Sequence, residues 1–148
     1  MTDSPRRTGL DAYLSFWESL RPDRIDGLEA VTTEDVRFTD PFNDVQGRDA
    51  LRGVLDHMFA NTRDPRFAVT DHAWAGDTAF VRWRFTATVK SLGDWDVVGM
   101  SALDLDALGR VSRHIDYWDS GPAVWLRLPF IGSLLRRIAR RLGTGRQW

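Results

Sequence analysis

Past Asp64-Pro65 the spacing of apolar residues changes period, and that change narrows the folds open to this chain more than any other feature. Before it, apolar side chains recur at helical intervals. After it, four alternating runs are separated by turn signals. The runs cover about 66–75, 78–90, 94–106 and 110–119, with turns at Gly76-Asp77, Leu92-Gly93-Asp94 and Ala107-Leu108-Gly109. Connections this short join antiparallel neighbours, so the pattern predicts a meander.

Residues 1–8, charged and containing Pro5, read as a disordered leader. Leu10, Tyr13, Leu14, Trp17 and Leu20 then recur at helical spacing and predict a first helix over Gly9 to Leu20. Arg21-Pro22-Asp23 stops it. A short second helix is expected from Ile25 to Val31, and a strand from Asp35 to Thr39. Ala50, Leu51, Val54, Leu55, Met58 and Phe59 give a third helix a continuous apolar stripe. Helices first and strands last make an α+β fold: a curved antiparallel sheet packed against N-terminal helices. There is no internal repeat and no low-complexity segment.

The segment Val36 to Gly47 carries the sharpest chemical signal. It reads as a strand ending in Asp40, turning through Pro41 and Gly47 into the third helix. A strand end is rigid and a following proline fixes the backbone beyond it, so Asp40 is a held carboxylate, as a general base must be. The alternative is that Asp40 only closes a turn, which is common Asp-Pro chemistry.

The last run, His114-Ile115-Asp116-Tyr117-Trp118, supplies the other polar groups. Side chains alternate along a strand, so His114, Asp116 and Trp118 share one face. They either meet Asp40 across a pocket or form a buried polar pair that ties the strand to a helix. Arg82 and Arg84 alternate with Val81, Trp83 and Phe85 as on a half-solvated strand. Asp104 and Asp106 are expected to face water. His57 and His72 are isolated from any metal-ligand spacing, and no phosphate loop or serine nucleophile elbow is present.

The length, 148 residues, suits one domain, and 43% hydrophobic residues allow a core without staples. The absence of cysteine excludes disulfides, thiol catalysis and cysteine-ligated metals. A net charge of −1 argues against nucleic acid as a partner. The first residues lack an apolar signal core and no run approaches the ~18 apolar residues that span a bilayer, so a cytoplasmic location is expected. Seven tryptophans and eight phenylalanines either fill the core or wall an apolar pocket.

Element order, Asp26-Gly27, Asp40-Pro41, Gly47 at the helix start and the His114–Trp118 strand together resemble the nuclear transport factor two-like superfamily. Within it the likeness is to the ketosteroid isomerase and SnoaL-like polyketide cyclase group, over about residues 10–120, giving a domain at 9–120. The resemblance implies a cone-shaped fold with His114, Asp116 and Trp118 facing inward. It matches Asp40 to the isomerase general base. It also sets Phe16, Leu55 and Ser101 where the isomerase has two tyrosines and an acid as oxyanion donors, so an enolate would lack its usual donors. SnoaL-like cyclases and limonene epoxide hydrolases likewise set acidic residues with histidines or arginines on these strands.

The expected site is therefore Asp40, His114 and Asp116 for catalysis, with Phe16, Trp17, Phe42, Met58, Trp83, Trp95, Ser101 and Trp118 around the ligand. The ligand is an apolar, oxygenated small molecule of steroid, polyketide or terpenoid type. Asp40 acts as base, and Asp116 with His114 as acid or donor, with no cofactor and no metal. The rival function is a non-catalytic binding or assembly module of the same fold. A homodimer through the outer face of the sheet is implied by the resemblance alone.

Residues 121–148 differ from the rest. Ile131, Leu134, Leu135, Ile138 and Leu142 form one face of a basic amphipathic helix, and Arg136, Arg137, Arg140 and Arg141 the other. Its apolar face needs burial on its own subunit, on a second subunit or on an anionic membrane. The first two are the expectation, since domains commonly end in docked helices.

Overall fold

The structure, a computed structural model, describes residues 4–145. Helix α1 spans Pro5–Glu18, so it begins inside the stretch read as a leader and ends before Leu20. The reason is Pro5 itself: at the first helical position its fixed φ suits the helix and its missing N–H costs nothing. Residues 1–3 of the expected leader lie outside the described residues. A 3₁₀ turn at Pro22–Gly27 and the one-turn helix α2, Leu28–Val31, lead into strand β1, Thr32–Thr39.

A short strand β2, Asp44–Gln46, has no counterpart in the sequence reading. Gly47, at φ 94°, then opens helix α3, Arg48–Asn61, in a backbone region that favours glycine. Strands β3 (Thr62–Ala75), β4 (Thr78–Val89), β5 (Gly93–Leu105) and β6 (Val111–Trp118) form the antiparallel meander. β3 starts earlier than expected and runs through Asp64-Pro65. It is the edge strand, and its pairing shifts between Arg63 and Arg66 with Asp64 at φ 51°, so a bulge absorbs the proline.

The six strands lie in the order β2-β1-β6-β5-β4-β3. The sheet is mixed rather than wholly antiparallel, because β1 runs parallel to β6. That register sets Phe38 beside His114 and Thr39 beside Ile115. One residue beyond that register, Asp40 follows the end of β1 and Asp116 follows Ile115 on β6, so the fold brings toward one end of the sheet two acids far apart in sequence.

Helices α1 and α3 cover the concave face. Leu10, Tyr13, Trp17, Leu51 and Leu55 meet Val36, Phe38, Val81, Trp83, Phe85 and Leu103 in the core. α1 approaches the β5–β6 turn so closely that a Cβ on Gly9 would lie 1.9 Å from the Gly109 carbonyl oxygen. Asp106, expected to face water, instead closes that turn. It accepts the backbone N–H groups of Arg110 and Leu108 and the Arg110 guanidinium, which hold its carboxyl below the usual range.

After β6 come the one-turn helix α4, Ser120–Ala123, a 3₁₀ turn at Trp125–Arg127 and helix α5, Ile131–Leu142. The apolar stripe of α5 is not buried on its own subunit: Leu134 is 59% exposed and Leu135 only half-buried. Residues 146–148 of the expected tail lie outside the described residues. Among the described residues no helix is long and apolar enough to cross a membrane.

Candidate functional site

Between α1, α3 and the concave face lies a cavity of about 520 Å³, a size suited to a small organic ligand. Trp17, Phe42, Met58, Trp83, Trp95 and Trp118 supply most of its expected wall, and Ser101 lines it too. Phe16 does not. It follows Tyr13 by three positions and is turned aside, its ring against Gly27, while Tyr13 and Trp17 face the cavity at i, i+4. A ligand-contacting role for Phe16 is therefore corrected to a core role.

His114, Asp116 and Trp118 all line the cavity, whereas Tyr117 between them is 60% exposed. His114 is part of a connected polar chain. The Tyr13 hydroxyl lies 2.7 Å from His114 Nδ1, and His114 Nε2 lies 2.6 Å from Asp116 Oδ1. From the other side, Ser101 Oγ donates to the same Oδ1 at 2.5 Å, and Trp83 Nε1 donates to Ser101 Oγ at 2.8 Å. Burial pushes the Tyr13 hydroxyl well above its ordinary range, and the nearby charge of Asp116 adds to the effect.

A tyrosine that stays protonated donates to Nδ1, so a neutral His114 carries its proton on Nε2 and donates it to Asp116. Every proton in the chain then points toward one carboxylate oxygen. Oδ2 of Asp116 accepts no hydrogen bond from the described residues, which leaves it for a ligand. The contact between β6 and α1 is thus both a polar tie across the core and the wall of a cavity.

Asp40 also lines the cavity, and it closes a turn as well. Its Oδ1 accepts the backbone N–H groups of Phe42 and Asn43, each at 2.7 Å, and the Asn43 amide at 3.0 Å. Its Oδ2 accepts only the Asn43 amide, also at 3.0 Å. The turn fixes the carboxylate's orientation and leaves a lone pair on Oδ2.

Five polar cavity residues escaped the sequence reading: Tyr13, Asn43, His57, Asn61 and Thr62. His57 and Asn61 share a face of α3 with Val54 and Met58, and that spacing was the available signal. The indole N–H of Trp95 is buried without a hydrogen-bond partner among the described residues. Among the described residues no cluster of three or more His, Asp or Glu side chains is placed to hold a metal ion.

A model of the SnoaL-like domain matches residues 11–114. The chain belongs to the SnoaL-like family. The match takes in Asp40 and His114 and stops short of Asp116 and Trp118.

Solved structures agree on the fold of this SnoaL-like domain. A candidate SnoaL-like polyketide cyclase from Jannaschia sp. CCS1 is 16% identical, with 81% of this chain and 91% of that one covered at a TM-score of 0.69. A hypothetical protein with a ketosteroid isomerase-like fold from Catenulispora acidiphila, in complex with trimethylamine, is 16% identical over 80% and 90%, at 0.67. TerC, co-crystallised with polyporic acid, is 18% identical over 79% and 93%, at 0.66. No curated protein sequence matches the chain.

Proposed function

We propose that this SnoaL-like domain binds an apolar, oxygenated small molecule with several rings and acts on it by carboxylate acid–base chemistry. The observation that carries the reading is a largely apolar cavity of about 520 Å³ lined by both Asp40 and Asp116. Ligand size and character follow from the tryptophan and phenylalanine walls. Its oxygens follow from the polar groups on those walls, Asp40, Asn43 and Asp116. TerC holds polyporic acid in the same fold, which supports an oxygenated ligand here.

In this reading Asp40 Oδ2 takes a proton, either from carbon beside a carbonyl or from a water. In its acid form Asp116 presents Oδ2–H to the ligand oxygen, while Oδ1 stays fixed by Ser101 and His114. The chemistry is isomerisation, cyclisation or hydrolysis and asks for no cofactor.

Titration with a polycyclic hydroxyquinone or aromatic ketone tests the binding step, read by quenching of the cavity tryptophans. Saturable quenching that Trp95→Ala weakens is the expected result. A panel of such compounds that leaves the fluorescence unchanged would overturn the reading.

The second reading is a binding module without turnover. The hydrogen bonds that commit Asp40 to its turn favour it. It predicts the same quenching, with ligand recovered unchanged after prolonged incubation.

A further inference from the structure

We infer that α5 is an interfacial helix that docks the protein on an anionic lipid surface. The inference is independent of the cavity's chemistry. At 100° per residue, Ile131, Leu134, Ile138 and Leu142 fall within an arc of about 80°. All four are exposed, from 45% at Ile138 to 84% at Leu142.

The helix is held to the body by a different edge. Gly132 is buried, and a Cβ there would lie 2.4 Å from the Leu126 carbonyl oxygen. Arg136 Nη1 donates to that same oxygen at 2.5 Å. This edge fixes the roll of the helix and turns the apolar stripe away from the domain. Phe130, just before the helix, is 89% exposed and takes φ 62°, a strained conformation for a residue with a side chain.

Charge identifies the occupant of the stripe. α5 carries Arg136, Arg137, Arg140 and Arg141 and no acidic residue, in a chain whose net charge is −1. Arg137 and Arg141 flank the stripe beside Leu134, where they would reach lipid phosphates as the apolar side chains enter the acyl boundary. Pairing with the same stripe of a second copy sets these arginines against each other with no carboxylate between them. With 12 residues, α5 lies on a bilayer rather than through it. In the turn before α5 the Trp125 ring packs beside Phe42, a cavity residue, with ring centroids 6.1 Å apart.

Co-sedimentation of the full chain with vesicles tests the inference. Binding to equal parts phosphatidylglycerol and phosphatidylcholine is expected, with at least roughly tenfold less on phosphatidylcholine alone and weakening as salt rises. L134E/I138E should abolish binding, and R137Q/R141Q should lower it by about an order of magnitude. All four side chains are exposed, so both variants should keep the wild-type melting temperature. Failure of the wild type to sediment with anionic vesicles would overturn the inference, as would unchanged binding by L134E/I138E. So would a wild-type dimer, seen by sedimentation velocity, that L134E/I138E converts to monomer.

Discussion

The Tyr13 hydroxyl and His114 Nδ1 lie 2.7 Å apart in a region closed to solvent, and this contact sets the direction of the whole polar chain. A tyrosine held protonated by burial leaves Nδ1 as the acceptor. The remaining imidazole proton then goes to Asp116. The helix residue thereby positions the strand residue at the cavity.

Tyr13 should make the fold sensitive to alkali. Its folded-state pKa is raised above the ordinary value of 10.0, so its contribution is complete below about pH 10 and is lost as pH rises beyond it. The chain has two tyrosines, and Tyr117 is 60% exposed. Difference absorbance should therefore show one tyrosine ionising in the native protein and the second only on unfolding. Tyr13→Phe should remove that second step, at a cost of about 1–3 kcal/mol for the unpartnered Nδ1. Ionisation of both tyrosines while the protein remains folded would contradict the burial argument.

The carboxylates should separate kinetically from the fold. Once a substrate is found, Asp40→Asn is expected to lower turnover by ~10²-fold or more, the scale of a lost general base. The new amide would face the Asn43 amide donor to donor, so a loss of about 1 kcal/mol in stability should accompany it. Asp116→Asn keeps an acceptor for Ser101 and His114 and should also reduce turnover without unfolding the chain. Wild-type turnover by Asp40→Asn would remove Asp40 from the chemistry. Strong destabilisation by Asp116→Asn with turnover intact would make the pair structural.

The sequence revealed the meander because alternation and glycine turns are local signals. It did not reveal β2, which is three residues long, or the parallel pairing of β1 with β6, which has no local signature. The face shared by His114, Asp116 and Trp118 was legible from strand period. Their partner was not, because the resemblance sets Phe16 at the place of an isomerase tyrosine, whereas the helix face toward the cavity carries Tyr13. Pro5 was misread because a proline early in a chain starts a helix as readily as it marks a loop.

Ordinary ketosteroid isomerisation should be weak or absent. Phe16 is packed on Gly27, Leu55 offers the cavity only methyl groups, and the Ser101 hydroxyl is committed to Asp116. None is free to hold an enolate oxygen. The measurement is the absorbance of the conjugated product from a Δ5-3-ketosteroid. Efficient conversion would show that Asp116 Oδ2–H alone suffices to hold the enolate oxygen.

A homodimer through the outer face of the sheet is proposed on a specific patch. Val98, Met100 and Tyr117 are 61%, 45% and 60% exposed, and Met100 is paired in register with Tyr117. Ion pairs Arg82–Asp71 and Arg84–Asp96 lie alongside, as expected of a half-solvated strand. Sedimentation velocity should find a dimer that Met100→Glu converts to monomer. A monomeric wild type across the micromolar range would exclude this surface.

Gly99 should be among the least replaceable residues near the cavity. It pairs across the strands with Trp83, and a Cβ on it would lie 2.4 Å from the Trp83 ring. Gly99→Ala must therefore drive the indole toward the cavity and loosen its 2.8 Å bond to Ser101 Oγ, the outer support of Asp116. A loss of about 1–3 kcal/mol is expected, the scale of overpacking. Ligand quenching should weaken with it, because the displaced ring occupies ligand volume. Gly53→Ala is the control. Gly53 is exposed within α3, and a Cβ added there would meet nothing within 4 Å, so alanine should stabilise the protein by about 0.5–1 kcal/mol through helix propensity. Thermal melts of the two variants should therefore shift in opposite directions, and only Gly99→Ala should alter ligand binding. Equal melts for both would show that the Trp83 ring has room to move, and that the polar chain does not depend on where it rests.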